Sequence, residues 1–583
     1  MTSPPGAALR SLYRVSSAKR PPLRIGLLLD GATCARFAAR IIEDIANSNY
    51  ARLELVVYNM DAARPTPPRA SLPTRLARVL RNSQTRKLLL YDVYTRNDAR
   101  RVPLGDDSLA PVDCAPLLAG VEAIELEPIV KGFTHRFPPE SIERIRTKEL
   151  DVVLRFGFNI LRGDILQVAR YGVWSLHHGD NDYFRGGPPY FWELYEGAPI
   201  SGVTLQILTE ELDAGVVLGK ALFPTTPGFS VARNRSDPYR GSATLVMQKL
   251  HELHQYGWEY LRARAIPPMP YLGKRRIYRR PTNVEVARWL VPTLARKAAR
   301  RPFRGARRLH WRIALRSGVK PLHAPAGRPD MSVFAWVDCP RGHSYADPFL
   351  IARGGTTWAF FEDFLYAESR GVISCAEVLP GGGLGPVRTC LERDYHFSYP
   401  MVFEHDGEVF MVPESALNGT VELYRATRFP HEWTLEKVLQ QLDAVDTTVW
   451  HENGRWWFFA AFADPPGPCV TLLLFHAASL TGEWIYHPAN PISTDVRRAR
   501  GAGAIFSAAG RRFRPSQDGS RGYGWSFTLN EIVTLTPEEY RERPTLTVDP
   551  SWSPGLIGTH TYGRCGAVEI VDGCSLVRSS TVR

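Results

Sequence analysis

One pattern recurs five times in the second half of this chain, and it limits the fold more than any other feature. It reads "ADPFLIARGGTTWAFFED", "SYPMVFEHDGEVFMVPES", "DTTVWHENGRWWFFAA", "GAGAIFSAAGRRFRPSQD" and "GTHTYGRCGAVEIVDG", starting near residues 346, 398, 446, 501 and 558. Each copy gives an inner strand, a glycine turn and an aromatic second strand. A unit this small cannot bury its own apolar face, so copies about fifty residues apart must stack on one another. Five copies predict a five-bladed β-propeller over 331–583. Uneven spacing leaves a β-sandwich as the alternative.

The first half has a different texture. "LRIGLLLDG" (23 to 31) is a short apolar run of the kind buried in a parallel sheet. "ATCARFAARIIEDIANS" follows at helical spacing and "LELVVYNM" (53 to 60) supplies the next strand. This β-α-β order predicts an α/β doubly wound, Rossmann-like sheet over 21–265. No G-x-G-x-x-G follows the first strand, which argues against a dinucleotide site. The polar, Arg-rich stretch 61 to 120 reads as an insertion. "VEAIELEPI", "LDVVLRFGFNI" and "YGVWSLHH" then resume the strand pattern.

That last strand runs into "HHGDNDYFRGGPP". Asp180, Asn181 and Asp182 disfavour helix and strand, so the segment is a loop. His177 is thereby placed at the carboxyl end of a strand, where open α/β sheets bind ligands. Imidazole titrates near neutrality and serves as both acid and base.

At 583 residues the chain exceeds what one core sustains. Its 44% hydrophobic and 22% charged content describes a globular protein, and no apolar run is long enough to cross a bilayer. The start, "MTSPPGAALRSLYRVSSAKRPPLR", lacks an apolar signal core, and residues 1–20 are expected to be a disordered lead-in. Eight scattered cysteines without C-x-x-C read as reduced thiols, which suits a cytoplasmic protein, and no metal framework is visible.

The net charge of +13 is concentrated. Residues 274 to 316 carry +14, and the remainder sums to −1, which is not the footprint of a chain that binds nucleic acid along its length. Residues 266–330 read as a basic linker of two helical pieces broken at Pro302. Their apolar sides are Trp289, Leu290 and Leu294, then Leu309, Trp311 and Ile313. Such helices suit an anionic membrane surface, which would hold the protein peripherally at a membrane.

With these residues placed, 150 to 220 resembles the catalytic domain of the folate-dependent formyltransferases. That family's motif is Asn-x-His, Arg-Gly, Gly-Val-Thr and Leu-Asp-x-Gly. This chain reads "SLH" (175 to 177), "RGG" (185 to 187), "GVT" (202 to 204) and "LDAG" (212 to 215). The resemblance implies acyl transfer from 10-formyltetrahydrofolate to an amine, with His177 and Asp213 handling protons. Ser175 stands where the family has its oxyanion-binding Asn. The resemblance further implies substrate contacts from His178, Asp180, Asn181, Arg185, Gly186 and Gly187.

Residues 335 to 575 resemble the N-terminal region of plant glucosamine inositolphosphorylceramide transferases, through "DPFL", "YPMV", "RRFRPSQD" and "YGWSFTLNEI". That likeness implies carbohydrate handling, with a free or lipid-linked amino sugar as partner. Asp347, Glu414 and Asp446 fall at strand ends, where carboxylates at a propeller mouth could process glycosides. Two functions remain: a formyltransferase-like enzyme of carbohydrate metabolism, or a diverged scaffold with a sugar-binding or glycoside-processing propeller.

Overall fold

The computed structural model describes residues 7–62, 83–103, 107–211, 215–300, 307–318, 321–322, 330–463 and 467–579. They form two compact units: Arg10–Ala299, and Arg300–Arg583 together with Met1–Leu9.

The first unit is built on a seven-stranded sheet. Its strands are β1 (Leu23–Leu29), β2 (Ala51–Asn59), β3 (Glu122–Leu126), β4 (Val152–Arg155), β5 (Val173–His177), β6 (Ile200–Ile207) and β7 (Val216–Pro224). The spatial order is β7-β6-β5-β4-β1-β2-β3. Strands β5, β4, β1, β2 and β3 run parallel, while β6 and β7 pair antiparallel at one edge. Strand β1 is apolar at nearly every position because both faces of the sheet are covered. Helix α1 (Arg36–Ala46) buries Ile41, Ile42 and Ile45, three residues at helical spacing. The long α2 (Val231–Tyr256) packs on β6 and β7, and the Ser230 side chain caps it by accepting from the Arg233 amide.

Several expectations change here. The lead-in is ordered from residue 7: Ala7–Leu12 is helical, and both Arg10 and Arg14 pair with the buried Asp44 carboxylate. Cys34 and Cys114 are joined in a disulfide rather than reduced, tying the short strand Thr33–Ala35 to its partner Pro111–Asp113. Among the described residues of the basic stretch, only α3 (Asn283–Arg300) is a helix. Its Trp289 is 7% exposed, held edge-on by Tyr94 and Phe191, so its ring is core and cannot face lipid. Among the described residues no helix is long and apolar enough to cross a membrane.

In the second unit, β8 (Arg307–Ser317) corrects the other half of the linker reading. Alternate Arg and apolar residues give it strand periodicity, and Ile313 is fully buried. Next come four antiparallel sheets of four strands each. The first three open with β9 (His343–Arg353), β10 (Ser398–His405) and β11 (Val445–Glu452), and the fourth spans Phe506–Ala508 to Tyr540–Val548. A fifth sheet is closed by the two ends of the unit. The last strand, β12 (Val568–Arg578), pairs with β8 without a break from Arg307 opposite Arg578 to Ser317 opposite Val568.

Candidate functional sites

The motif strand β5 places Ser175 and His177 on one face, two residues apart. Register sets their neighbours. Arg155 of β4 and Gln206 of β6 both lie directly opposite Ser175, so Arg155, Ser175 and Gln206 form a row across three adjacent strands. The row and His177 line one cavity of about 150 Å³, together with Arg162 and Glu211. Ser175 is 2% exposed, and its Oγ accepts from Arg155 Nε at 3.0 Å. Arg155 is fixed in turn by the carbonyls of Phe158 and Asn159, at 3.1 and 3.0 Å. His177 Nε2 lies 2.7 Å from the Phe184 carbonyl. A carbonyl only accepts, so Nε2 carries the proton of the neutral ring and Nδ1 the basic lone pair. Asp213 lies outside the described residues.

The rest of the loop is occupied with its own architecture. Asp180 and Asp182 both hold Lys220 Nζ, at 2.7 and 2.5 Å, which explains why an acidic stretch follows the histidines. The backbone carbonyl of Asn181 accepts from Arg185 Nε at 3.0 Å, and the Arg185 guanidinium lies over the Tyr271 ring at 4.6 Å. Gly186 sits at φ +89° and presses on the chain at Tyr278: an added Cβ would lie 2.4 Å from the Tyr278 carbonyl oxygen. Gly187 donates its amide to that same oxygen. His178 stacks on Tyr239 at 3.8 Å with Phe37 edge-on, and this burial pushes its pKa down to about 3. None of His178, Asp180, Asn181, Arg185, Gly186 or Gly187 lines the cavity beside Ser175.

In the second unit the functional candidates come from a repeated backbone irregularity. Strands β9, β10 and β11 each slip register at the same place, and the residue there has a left-handed φ: Asp347 (+49°), Tyr399 (+45°) and Asp446 (+48°). A bulge re-aims its side chain, and non-glycine residues hold such φ values only where the surroundings enforce them. The three expected carboxylates are brought into one electrostatic cluster. Arg500 reaches Asp446 Oδ2 with Nε (2.5 Å) and Glu414 Oε2 with Nη2 (3.6 Å). Asp347 Oδ1 accepts from Thr561 Oγ1 at 2.9 Å and lies 3.5 Å from His560 Nε2. His560 Nδ1 is 2.5 Å from Asp572, and Trp311 stacks on the His560 ring at 4.0 Å.

Burial and the repulsion of neighbouring acids raise the pKa values of Glu414, Asp347 and Glu362. Burial, then Asp446, lifts Glu414 to about 8. Asp347 rises to about 6, mainly by burial, and burial takes Glu362 well above its usual range. Burial alone would lower His560, but the carboxylates of Asp572 and Asp347 outweigh it and its pKa rises. Asp347, His560 and Asp572 offer ligand atoms within 4.8 Å of one another, although each is already engaged in the hydrogen bonds described.

Sequence reasoning passed over Arg155 and Gln206, whose signal is a lone polar residue inside an apolar strand ("VVLRFG", "VTLQIL"). It also passed over Tyr399, which takes the repeat position held by Asp347 and Asp446 in other copies. Arg500, His560 and Asp572 gave no local pattern.

An α/β unit with a polar row at its strand ends thus accompanies an all-β unit centred on buried acids. Comparison with known proteins finds relatives of two kinds. Residues 334–551 match the family model "Glucosamine inositolphosphorylceramide transferase 1, N-terminal". Glucosamine inositolphosphorylceramide transferase 1 of Oryza sativa subsp. japonica is 38% identical over 256 residues, covering 40% of this chain and 34% of the relative. Methionyl-tRNA formyltransferase of Thermosynechococcus vestitus (strain NIES-2133 / IAM M-273 / BP-1) is 33% identical over 147 residues, covering 25% of this chain and 42% of the relative. The chain therefore spans well under half the length of either curated relative. Among solved structures, glycinamide ribonucleotide transformylase 1 from Symbiobacterium toebii aligns at 16% identity over 40% of this chain and 89% of its own, with a TM-score of 0.27.

Proposed function

We propose that this chain is a carbohydrate-active transferase. Its first unit moves a formyl group, or a related one-carbon acyl group, from a donor of the 10-formyltetrahydrofolate type to the amine of a free or lipid-linked amino sugar. Its second unit, read as five blades of a propeller, holds the glycan. The observation that carries this reading is the cavity at the ends of β4 and β5, where His177 and the Arg155–Ser175 pair face one space. One curated relative is named a formyltransferase and another is named for glucosamine, a sugar with the amine such a reaction needs.

The step balances with the groups present. The amine nitrogen bonds to the formyl carbon while the carbonyl π pair moves onto oxygen. The excess proton on nitrogen passes to His177 Nδ1, and the returning electron pair expels the donor's nitrogen, which receives that proton. The products are a formamide and the deformylated donor. Incubation with formyl-tetrahydrofolate and a panel of nucleotide-linked and lipid-linked amino sugars tests the reading through formamide formation. His177→Ala should lower that rate about 10²–10⁴-fold with melting unchanged. Full activity in that variant would remove the assignment.

A second reading has its own observation. Glu414, protonated at neutral pH, shares Arg500 with Asp446, and glycoside hydrolysis requires an acid and an ionised carboxylate facing each other. Release of sugar from aryl glycosides, abolished by Glu414→Gln, would favour a scaffold with a glycoside-processing second unit.

A further inference from the structure

The family motif places a carboxamide on β5 to bind the oxygen that becomes negative during transfer, and this chain has Ser175 there. A carboxamide is nevertheless present. Gln206 lies directly opposite Ser175 on β6, in the same row and lining the same cavity. Its residue is 3% exposed, and among the described residues its buried Oε1 has no hydrogen-bond partner. Buried side-chain amides ordinarily find partners, and the atom left over here is the acceptor. Because the terminal torsion of Gln is two-fold, a half-turn of the carboxamide brings its N–H to the same place when a ligand oxygen enters the cavity. Gln206 also sits where the β6–β7 register slips, a bulge of the kind that re-aims side chains near sites.

The second member of the row is oriented for the same purpose. Ser175 Oγ receives a hydrogen bond from Arg155 Nε, which occupies one of its lone pairs. The hydroxyl proton is turned away from Arg155, and the adjacent guanidinium polarises it. The row therefore offers an amide donor and a polarised hydroxyl side by side, His177 lying one step further along β5.

Resting on the acyl-transfer reading above, we infer that Gln206 is a further catalytic residue of this site. Its amide N–H donates, with the Ser175 hydroxyl, to the developing oxyanion, so the missing carboxamide has moved one strand over. Arg155 is then a positioning residue that acts through Ser175.

Steady-state kinetics of formamide formation test this in the full chain. Removal of one oxyanion donor costs roughly 10²–10³ in kcat. Gln206→Leu should show that loss with KM moved less than about threefold. The near-isosteric Gln206→Glu, which keeps the shape but loses the N–H, should lose as much. The double variant Ser175→Asn, Gln206→Leu returns a carboxamide to β5 and should recover at least about tenfold over Gln206→Leu, a rescue that a merely structural role would not give. Wild-type kcat in Gln206→Leu, or a loss confined to KM, or no rescue in the double variant, overturns the inference. A second measurement does not depend on turnover. In protein labelled with ¹⁵N-glutamine, titration with formate should shift the Gln206 side-chain amide resonances, identified by their absence in Gln206→Leu. Formate that leaves them unmoved overturns the inference. Formate that moves them in a protein unable to form any formamide supports the oxyanion site and refutes the acyl-transfer reading alone.

Discussion

The two units assemble polar groups in opposite ways. In the first, Arg155, Ser175 and Gln206 are neighbours across one continuous sheet, and His177 is two residues from Ser175. In the second, Asp347 and Asp446 are aimed by left-handed bulges in two different sheets, and Arg500 and His560 reach them from other parts of the chain. A row across one sheet can be rewritten one side chain at a time. A cluster of mutually charged groups cannot, because each member sets the ionisation of the next.

The largest expected difference between the units concerns their integrity. Residues 10–299 are contiguous and self-contained, whereas the second unit needs β8 to finish its last sheet. A fragment beginning at residue 328 should fail to unfold cooperatively, while one beginning at residue 300 should give a single β-type circular dichroism transition. Equal behaviour of the two fragments would show that β8 is dispensable. Next in size is the loop of the first unit. Lys220→Met leaves Asp180 and Asp182 facing each other without their cation, and breaking a buried pair by removing one partner costs about 3 kcal/mol. Chemical denaturation should report that loss in the first unit alone.

The comparison is sharpest in pH dependence. The His178 pKa is depressed from 6.5 to about 3 by burial, so its contribution is full above about pH 6.5 and is lost as pH falls toward 3. Glu414 is raised from 4.5 to about 8, so its contribution is full below about pH 4.5 and is lost as pH rises through about 8. Hydrogen exchange resolved by unit should therefore show the first unit loosening in acid and the second in mild base. His178→Phe should flatten the acid slope and Glu414→Gln the basic one. Parallel slopes in the two units would mean that neither group governs its surroundings. The smallest effect is expected at the short disulfide-linked strands. Reduction of Cys34–Cys114 should raise exchange around Thr33–Ala35 and leave the rest of the sheet unchanged.

These contrasts also decide what could be read in advance. The β-α-β order was legible because β1 and β2 are short apolar runs bounded by turn residues. The repeated hairpins were legible because their turns carry glycine at positive φ, as at Gly407, Gly454, Gly510 and Gly566. The linker was misread because "RRLHWRIALRS" is rich in Arg, a good helix former, and its alternation becomes informative only once β12 is known to lie beside it. The cysteine pair was missed because eighty residues separate its members. Gln206 was missed because register, not local sequence, puts it opposite Ser175.

The pairing of β8 with β12 has a consequence for how the chain is made. During synthesis everything the first unit requires has been translated once Ala299 is in place. Strand β8 follows at once, yet its partner begins only at Val568, so an Arg-rich strand waits through almost the whole of the second unit for its ladder. Non-local pairing of this kind is slow, because loop closure must precede any gain from contact. The newborn protein thus passes through a long interval with a complete first unit and an open second one. In that interval Asp572, the partner of His560, has yet to be added, and the last sheet can close only after Arg578 has followed.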